Sequence, residues 1–216
     1  MKPYYQDDSV TLYHGDCLEV MPELGRFDLL LTDPPYGINQ DRGVGSGGFS
    51  KITKQKRLAN KYEGSWDKSI CAKEVLAATT LAERSIVWGG NYYSGVLPQM
   101  PKWLVWNKCQ TMPSFSDAEL AWTSLSGVAV KMFTFNGNGF MAKEMNRQHP
   151  TQKPLALMSW CIGLAPDAKT ILDPFAGSGT TGRAAKDLGR KCVMIEKDER
   201  YCEIAANRMK QEVLGI

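Results

Sequence analysis

The strongest constraint on the fold is a short apolar run, Leu29-Leu30-Leu31-Thr32, that ends abruptly in Asp33-Pro34-Pro35-Tyr36. An apolar run of strand length stopped by two prolines is typical of a buried strand that breaks into a rigid loop, because proline fixes its own φ and has no N–H to donate. In open α/β sheets, ligands bind beyond the carboxyl ends of the strands. We therefore predict that Asp33 stands at a binding site.

This loop offers a carboxylate, backbone carbonyls and an aromatic ring. The two prolines donate no backbone hydrogen bonds, so the carbonyl groups beside them can face a ligand. Together these groups suit a flat molecule that carries an amino group. The alternative is a tight turn in which Tyr36 merely packs, since Asp and Pro are also common in turns.

A second junction between a strand and a loop follows later in the chain. The apolar run Thr170–Leu172 leads into a G-x-G-x-x-G pattern at residues 177, 179 and 182, then a predicted helix and a strand that ends at Glu196. A glycine turn lets the backbone approach a ligand closely, and an acid after the next strand can accept hydrogen bonds from ribose hydroxyls. The pattern predicts a ligand that contains a nucleoside.

A nicotinamide-dependent dehydrogenase would use the same pattern and is the main alternative at this point. Such a domain is expected to continue with more strands after Glu196, whereas only one helix, at about 200–213, is predicted there. Strands from earlier in the chain must then complete the sheet. The glycine turn and the Asp33 loop are therefore expected to belong to one sheet.

The predicted elements indicate an α/β fold with a doubly wound, mostly parallel sheet and helices on both faces. Four strands are followed by acids, namely Asp16, Asp33, Asp173 and Glu196. If these strands are parallel, the four carboxylates gather at one edge of the sheet. Other strands are predicted at 85–88, 103–106, 120–123 and 128–135, and helices at 17–24, 72–83, 155–164 and from the glycine turn to 188.

Positive charge is concentrated in one segment. Residues 41–68 hold seven basic and three acidic side chains, an excess of four, in a chain whose net charge is +3. Because this stretch directly follows the Asp33 loop, we predict a mobile basic loop at about 37–68 that closes over a phosphate backbone. A solvated loop without a function is the alternative.

The cysteines and the hydropathy pattern narrow the class of protein. Six scattered cysteines without a C-x-x-C pair, and two histidines, give no metal-site spacing, so no metal is expected. The sequence has neither a signal peptide nor an apolar run of eighteen residues. We expect a cytoplasmic protein with reduced thiols and no membrane partner.

These motifs resemble those of the amino-group DNA methyltransferases, which have a Rossmann-like fold and methylate N6 of adenine or N4 of cytosine. Thr32–Gly37 is similar to the family's catalytic motif, Asp173–Thr180 to its cofactor motif, and His149–Leu155 to the segment that precedes the cofactor motif. The catalytic motif comes first, as in the permuted beta group. The resemblance covers nearly the whole chain.

The resemblance implies S-adenosylmethionine as the cofactor and double-stranded DNA as the substrate, as in restriction-modification systems. It assigns catalysis to Asp33-Pro34-Pro35-Tyr36. It assigns cofactor binding to Asp16, Thr151, Lys153, Asp173, Pro174, Phe175, Gly177, Ser178, Gly179, Thr180 and Glu196.

Within that set, the resemblance gives several residues distinct roles. Glu196 binds the cofactor ribose, Asp16 lies near the adenine, and Thr151 and Lys153 lie near the methionine end. Asp33, rather than Ser, before Pro-Pro-Tyr favours the adenine-N6 enzymes. Three alternatives stay open: a cytosine-N4 DNA methyltransferase, an amino-methyltransferase of RNA or protein, and an inactive nucleic-acid-binding module.

We expect residues 1–216 to form a single methyltransferase domain. The region at about 109–148 corresponds to the family's target-recognition insertion and is short, with its basic and acidic side chains in balance. Slight sequence specificity, or dependence on a second subunit, is therefore expected. The short insertion is compatible with a homodimer.

Overall fold

A computed structural model describes residues 1–38, 69–110, 116–135 and 152–211. Most of the predicted basic loop at about 37–68 and a large part of the insertion at about 109–148 lie outside the described residues. Thr151, predicted to bind the cofactor, also lies outside them.

Nine strands of the described residues form one sheet. Their bounds are β1 Tyr5–Gln6, β2 Val10–His14, β3 Phe27–Thr32, β4 Ala82–Trp88, β5 Trp103–Asn107, β6 Ala118–Thr123, β7 Lys131–Thr134, β8 Thr170–Asp173 and β9 Lys191–Glu196. The order across the sheet is β1-β2-β9-β8-β3-β4-β6-β5-β7. The strand that leads to the Asp33 loop, β3, is therefore in the middle.

The central strands β2, β9, β8, β3 and β4 are all parallel, which confirms the predicted mostly parallel sheet. β1 is antiparallel to β2, and β6 lies antiparallel between β4 and β5. Because β6 runs against its neighbours, its first residues lie at the edge where the other strands end. Glu119 of β6 pairs there with Trp106 of β5.

Helices cover both faces of the sheet, as predicted. They are α1 Cys17–Val20, α2 Ala72–Thr80, α3 Leu155–Gly163, α4 Thr180–Asp187 and α5 Glu199–Met209. Leu29 and Leu31 of β3 join a core that contains residues of α3, α4 and α5, whereas Leu30 joins a core that contains residues of α1 and α2. Successive strand residues point to opposite faces, so an unbroken apolar run serves both cores.

Several boundaries differ from the predictions. The helix predicted at 72–83 ends at Thr80, and β4 begins at Ala82 because Ala82 pairs with Phe27 of the central strand. The helix predicted at 17–24 becomes a 3-10 helix over Met21–Glu23, where Pro22 lacks the N–H that an α-helix needs. The two-residue strand β1 was not predicted.

Candidate active site

The carboxyl ends of the central strands open onto a cavity of about 770 Å³. Its lining includes all four acids that were predicted to gather at this edge: Asp16, Asp33, Asp173 and Glu196. The parallel sheet therefore brings the Asp33 loop and the glycine turn to one site. A cavity of this volume is within the range of small-molecule sites.

Asp33 and Tyr36 form a hydrogen-bonded pair at the end of β3. The Tyr36 hydroxyl donates to Asp33 Oδ1 at 2.5 Å. Burial raises the pKa of Tyr36 well above its ordinary value, and the Asp33 carboxylate adds to this, so the hydroxyl remains a donor. Pro34 is buried, and Pro35 lines the cavity. The carbonyl of Pro35 accepts from the Tyr93 hydroxyl at 2.5 Å, which fixes the loop.

Lys153 joins this pair from the segment that precedes α3. Its ammonium donates to Asp33 Oδ2 at 2.7 Å and to the Tyr36 hydroxyl at 2.9 Å. The Lys153 side chain is 5% exposed and also lines the cavity. The residue predicted to lie near the cofactor's methionine end is therefore bonded directly to the predicted catalytic acid.

Two charged residues that the sequence did not single out complete the cluster. Glu119 Oε2 lies 3.0 Å from Lys153 Nζ, and Glu119 Oε1 lies 2.5 Å from Lys108 Nζ. Burial raises the pKa of Glu119, but the two ammonium groups outweigh this and lower the pKa to about 2. Glu119 lies just before the strand predicted at 120–123 and was counted only among the balanced charges of the insertion; the reversed direction of β6 brings it to the site.

The ionisation of Asp33 and Lys153 is set by opposing effects. Burial raises the pKa of Asp33 above its ordinary range, against the Lys153 ammonium, which lowers it. Burial also lowers the pKa of Lys153, but Asp33 and Glu119 outweigh this and raise it. Lys153 therefore remains a cation that compensates two carboxylates.

Aromatic residues after β4 support the Tyr36 ring. Tyr92 stacks on Tyr36 with 5.0 Å between ring centroids and 18° between planes. Gly89 packs so closely against the Tyr36 ring that a Cβ there would overlap it. Neither residue was predicted as part of the site, because the sequence there predicts only a strand at 85–88 that is followed by two glycines.

The glycine turn has the conformation that its sequence predicts. Gly177 and Gly179 have φ of +51° and +78°, values that side-chain-bearing residues rarely adopt. The Gly177 N–H donates to Glu196 Oε2 at 2.8 Å, which ties the turn to the end of β9. Ser178 donates to Gln152 at 3.0 Å, so the turn also contacts the segment that carries Lys153.

The remaining predicted cofactor residues lie around this turn. Asp16 caps α1 through the Leu18 N–H and pairs with Lys197 at 2.9 Å. Thr180 accepts a hydrogen bond from Arg208 at 3.0 Å. Pro174 and Phe175 follow β8 and line the cavity.

Asp173 is a buried carboxyl at the end of β8. It accepts from the Thr32 hydroxyl at 2.8 Å and from the Phe175 N–H at 3.1 Å. Burial raises its pKa to about 6 despite these hydrogen bonds. Asp173 therefore links β8 to β3 directly beneath the two loops.

Asp173→Asn is expected to remove part of the pH dependence of stability. The folded-state pKa of about 6 exceeds the ordinary 3.8, so the native protein binds this proton more tightly than the unfolded chain does. Below about pH 4 the tighter proton binding contributes roughly 3 kcal/mol to the free energy of unfolding, and this contribution is lost as pH rises through about 6. In urea denaturation, the free energy of unfolding of the variant relative to wild type should be higher at about pH 7.5 than at about pH 4.5. The same difference at both pH values would contradict the raised pKa of Asp173.

Among the described residues, no group of three or more His, Cys, Asp or Glu side chains is arranged to hold a metal ion. No helix in the ranges that the structure describes is long and apolar enough to cross a membrane.

The chain is similar in sequence to known DNA methyltransferases. A family model described as DNA methylase matches residues 131–207. The type II methyltransferase M2.LlaDCHI of Lactococcus lactis subsp. cremoris is 26% identical, over 97% of this chain and 93% of its own. The type II methyltransferase M2.DpnII of Streptococcus pneumoniae is 26% identical, over 98% and 93%.

The resemblance to the amino-group DNA methyltransferases is confirmed. These matches do not separate adenine-N6 from cytosine-N4 enzymes. The alignments with the two type II methyltransferases span nearly all of the chain, including both the Asp33 loop and the glycine turn, whereas the family model covers the glycine turn but not Asp33.

Solved methyltransferase structures share the fold. The M1.HpyAVI complex with S-adenosylmethionine aligns with a TM-score of 0.59 and 20% identity, over 94% of this chain and all of that one. PvuII DNA methyltransferase, a cytosine-N4-specific enzyme, aligns with a TM-score of 0.63 and 16% identity, over 99% and 91%. The predicted Rossmann-like methyltransferase fold is confirmed.

Proposed function

We propose that this protein transfers a methyl group from S-adenosylmethionine to N6 of adenine in double-stranded DNA. The observation that carries the proposal is that the Asp33 loop and the glycine turn line one cavity, with Lys153 bonded to the loop and the adjacent Gln152 bonded to the turn. Asp33, which could accept a hydrogen bond from an amino group, and the glycine turn, which could bind a nucleoside, therefore lie in one site.

The cavity suits S-adenosylmethionine. A Cβ at Gly177 would meet no protein atom, so the turn presents bare backbone to open space in the cavity. Glu196 accepts from the N–H groups of Gly177 and Asp198, and each carboxylate oxygen retains a lone pair for a ribose hydroxyl. M1.HpyAVI, which shares the fold, binds the same cofactor.

The charge of the cavity lining favours this cofactor over a dinucleotide. Seven acidic and three basic residues line the cavity. A negative lining attracts a cationic sulfonium and repels the pyrophosphate of a dinucleotide. The dehydrogenase alternative is therefore disfavoured on electrostatic grounds.

The DNA base must reach this site by extrusion from the duplex, which costs a few kcal/mol. Stacking on an aromatic ring returns roughly 1–3 kcal/mol per base. Tyr36 would provide this ring, and its stacking on Tyr92 would support it. The predicted basic segment at about 37–68 would contact the phosphate backbone.

Asp33 and the Pro34 carbonyl would accept the two hydrogens of the exocyclic amine. Such an amine is a poor nucleophile because its lone pair is delocalised into the ring. Two acceptors draw the nitrogen towards tetrahedral geometry and localise that pair. S-adenosylmethionine, when bound, supplies a methyl group that its sulfonium charge has already activated, so the protein contributes alignment and charge placement.

Adenine is favoured over cytosine because Asp, rather than Ser, precedes Pro-Pro-Tyr. The PvuII enzyme, cytosine-N4-specific by its title, shares the fold, so fold similarity does not decide between the bases. The single-domain organisation, the target-recognition role of residues 109–148, cytoplasmic location and homodimer formation stay predictions.

The proposed function is tested with S-adenosylmethionine labelled in its methyl group. We expect the label to enter double-stranded DNA, with little competition from an equal mass of RNA. Transfer to RNA or to protein instead would favour the rival amino-methyltransferases. Cofactor binding without transfer to any DNA would favour an inactive nucleic-acid-binding module.

A further inference from the structure

Four charged side chains form a continuous row beside the site. Lys108 follows β5, Glu119 lies in β6, Lys153 precedes α3 and Asp33 follows β3. The successive nitrogen-to-oxygen distances along the row are 2.5, 3.0 and 2.7 Å. The proposed chemistry uses Asp33 but gives no role to Glu119.

Glu119 is the third polar partner of Lys153. The Lys153 ammonium donates hydrogen bonds to Asp33 Oδ2 and to the Tyr36 hydroxyl, and it forms an ion pair, without a hydrogen bond, with the buried Glu119 Oε2 at 3.0 Å. Two of these partners are on the loop that must receive the base. Glu119 is the third, and it is held on the sheet by pairing with Trp106.

The contact between Glu119 and Lys153 matters because both charged side chains are largely buried. The side chains of Lys153, Lys108 and Glu119 are 5%, 15% and 22% exposed. A charge so far removed from water is stable only where partners compensate it, and its position follows those partners closely.

We infer that Glu119 is a positioning residue for methyl transfer, which acts by holding Lys153 so that Asp33 keeps an acceptor position for the target amine. The inference rests on the proposed function. Without the Glu119 carboxylate, Lys153 is attracted only towards Asp33 and Tyr36. The ammonium then competes with the amino group of the base for the same carboxylate.

The pH dependence of transfer reports on this arrangement. Asp33 is faced by Lys153, by Glu119 with Lys108 behind it, by Asp173 at the end of β8, and by the hydroxyls of Tyr36 and Tyr93. The acid limb of the pH–rate profile is the fall in transfer rate as Asp33 is protonated. Removing the negative charge of Glu119 lowers the pKa of Asp33, so this acid limb moves to lower pH. Removing the positive charge of Lys153 raises the pKa of Asp33 and moves the acid limb to higher pH.

The test is a double-mutant cycle of Glu119→Gln and Lys153→Met under single-turnover conditions with labelled S-adenosylmethionine and DNA. Glu119→Gln should lower the transfer rate about ten- to hundredfold in the wild-type background, the scale of a misplaced catalytic group. In the Lys153→Met background, the same change should cost less than about twofold, because its effect passes through Lys153. An equal cost in both backgrounds, or no cost in either, would overturn the inference.

Further readouts separate positioning from a general structural effect. Glu83→Gln, a matched change of an exposed glutamate at the opposite end of β4, should leave the rate and the pH profile unchanged. Calorimetry should give the same affinity for S-adenosylmethionine in wild type and Glu119→Gln.

If Lys153→Met has no measurable rate, the acid limb of the pH–rate profile of Glu119→Gln decides: a shift to lower pH supports the inference and an unshifted limb overturns it. Wild-type protein that fails to label DNA would instead overturn the proposed function.

Discussion

Asp33→Ala is expected to abolish methyl transfer to DNA while S-adenosylmethionine still binds. The substitution removes the acceptor that localises the lone pair of the amine, and loss of one such preorganised group costs about 10²–10³-fold in rate. It also leaves Lys153 without one of its two carboxylate partners. Both effects act at the reacting nitrogen and spare Glu196 and the glycine turn.

Single-turnover transfer of labelled methyl groups, measured beside calorimetric cofactor binding, checks this expectation. Asp8→Ala is the matched control, because Asp8 is an exposed aspartate in the turn before β2, at the opposite edge of the sheet. That control should keep wild-type transfer. An Asp33→Ala protein that turns over at the wild-type rate would remove Asp33 from the catalytic role.

Gly89→Ala is expected to impair transfer by about 10²-fold through the Tyr36 ring. Gly89 has φ of +67°, and a Cβ there would overlap the ring carbons of Tyr36. The ring must move, and it carries the hydroxyl that bonds to Asp33 and Lys153. A displacement of about 1 Å at a catalytic group is enough for a loss of this size.

Gly189→Ala separates this contact from the backbone strain that both changes introduce. Gly189 has nearly the same φ, +65°, but a Cβ there meets no atom within 4 Å. Both variants should lose about 1–2 kcal/mol of stability from a left-handed alanine, and the overlap with the Tyr36 ring adds to this loss in Gly89→Ala only. Only Gly89→Ala should lose transfer, as measured by single-turnover assays alongside urea denaturation. Equal rates in the two variants would show that the position of Tyr36 matters little.

The sequence was sufficient to predict the sheet and its two loops because the signals there are local. The run from Leu29 to Leu31 is apolar at every position, which is what a central parallel strand buried on both faces requires. The acids at the carboxyl ends of β2, β3, β8 and β9 then had to meet once those strands were parallel. The glycine pattern likewise reports directly on backbone conformation, as the positive φ of Gly177 and Gly179 shows.

The partners of Asp33 could not be predicted from the sequence, because they depend on long-range topology. Glu119 is separated from Asp33 by more than eighty residues, and it reaches the site only because β6 is antiparallel and lies between β4 and β5. Lys153 was recognised through its motif, but its contact with Asp33 depends on how the segment before α3 crosses the end of β3. Spacing along the chain contains no information on either arrangement.

The identity of the methylated nucleoside tests the proposed reaction more directly than any rate does. DNA is incubated with the protein and S-adenosylmethionine that carries a deuterated methyl group, digested to nucleosides and analysed by mass spectrometry. We expect the deuterium to appear in N6-methyl-2′-deoxyadenosine with wild-type protein and not with Asp33→Ala. Deuterium in N4-methyl-2′-deoxycytidine would contradict the assignment to adenine, and equal labelling by both proteins would contradict the assignment of the site.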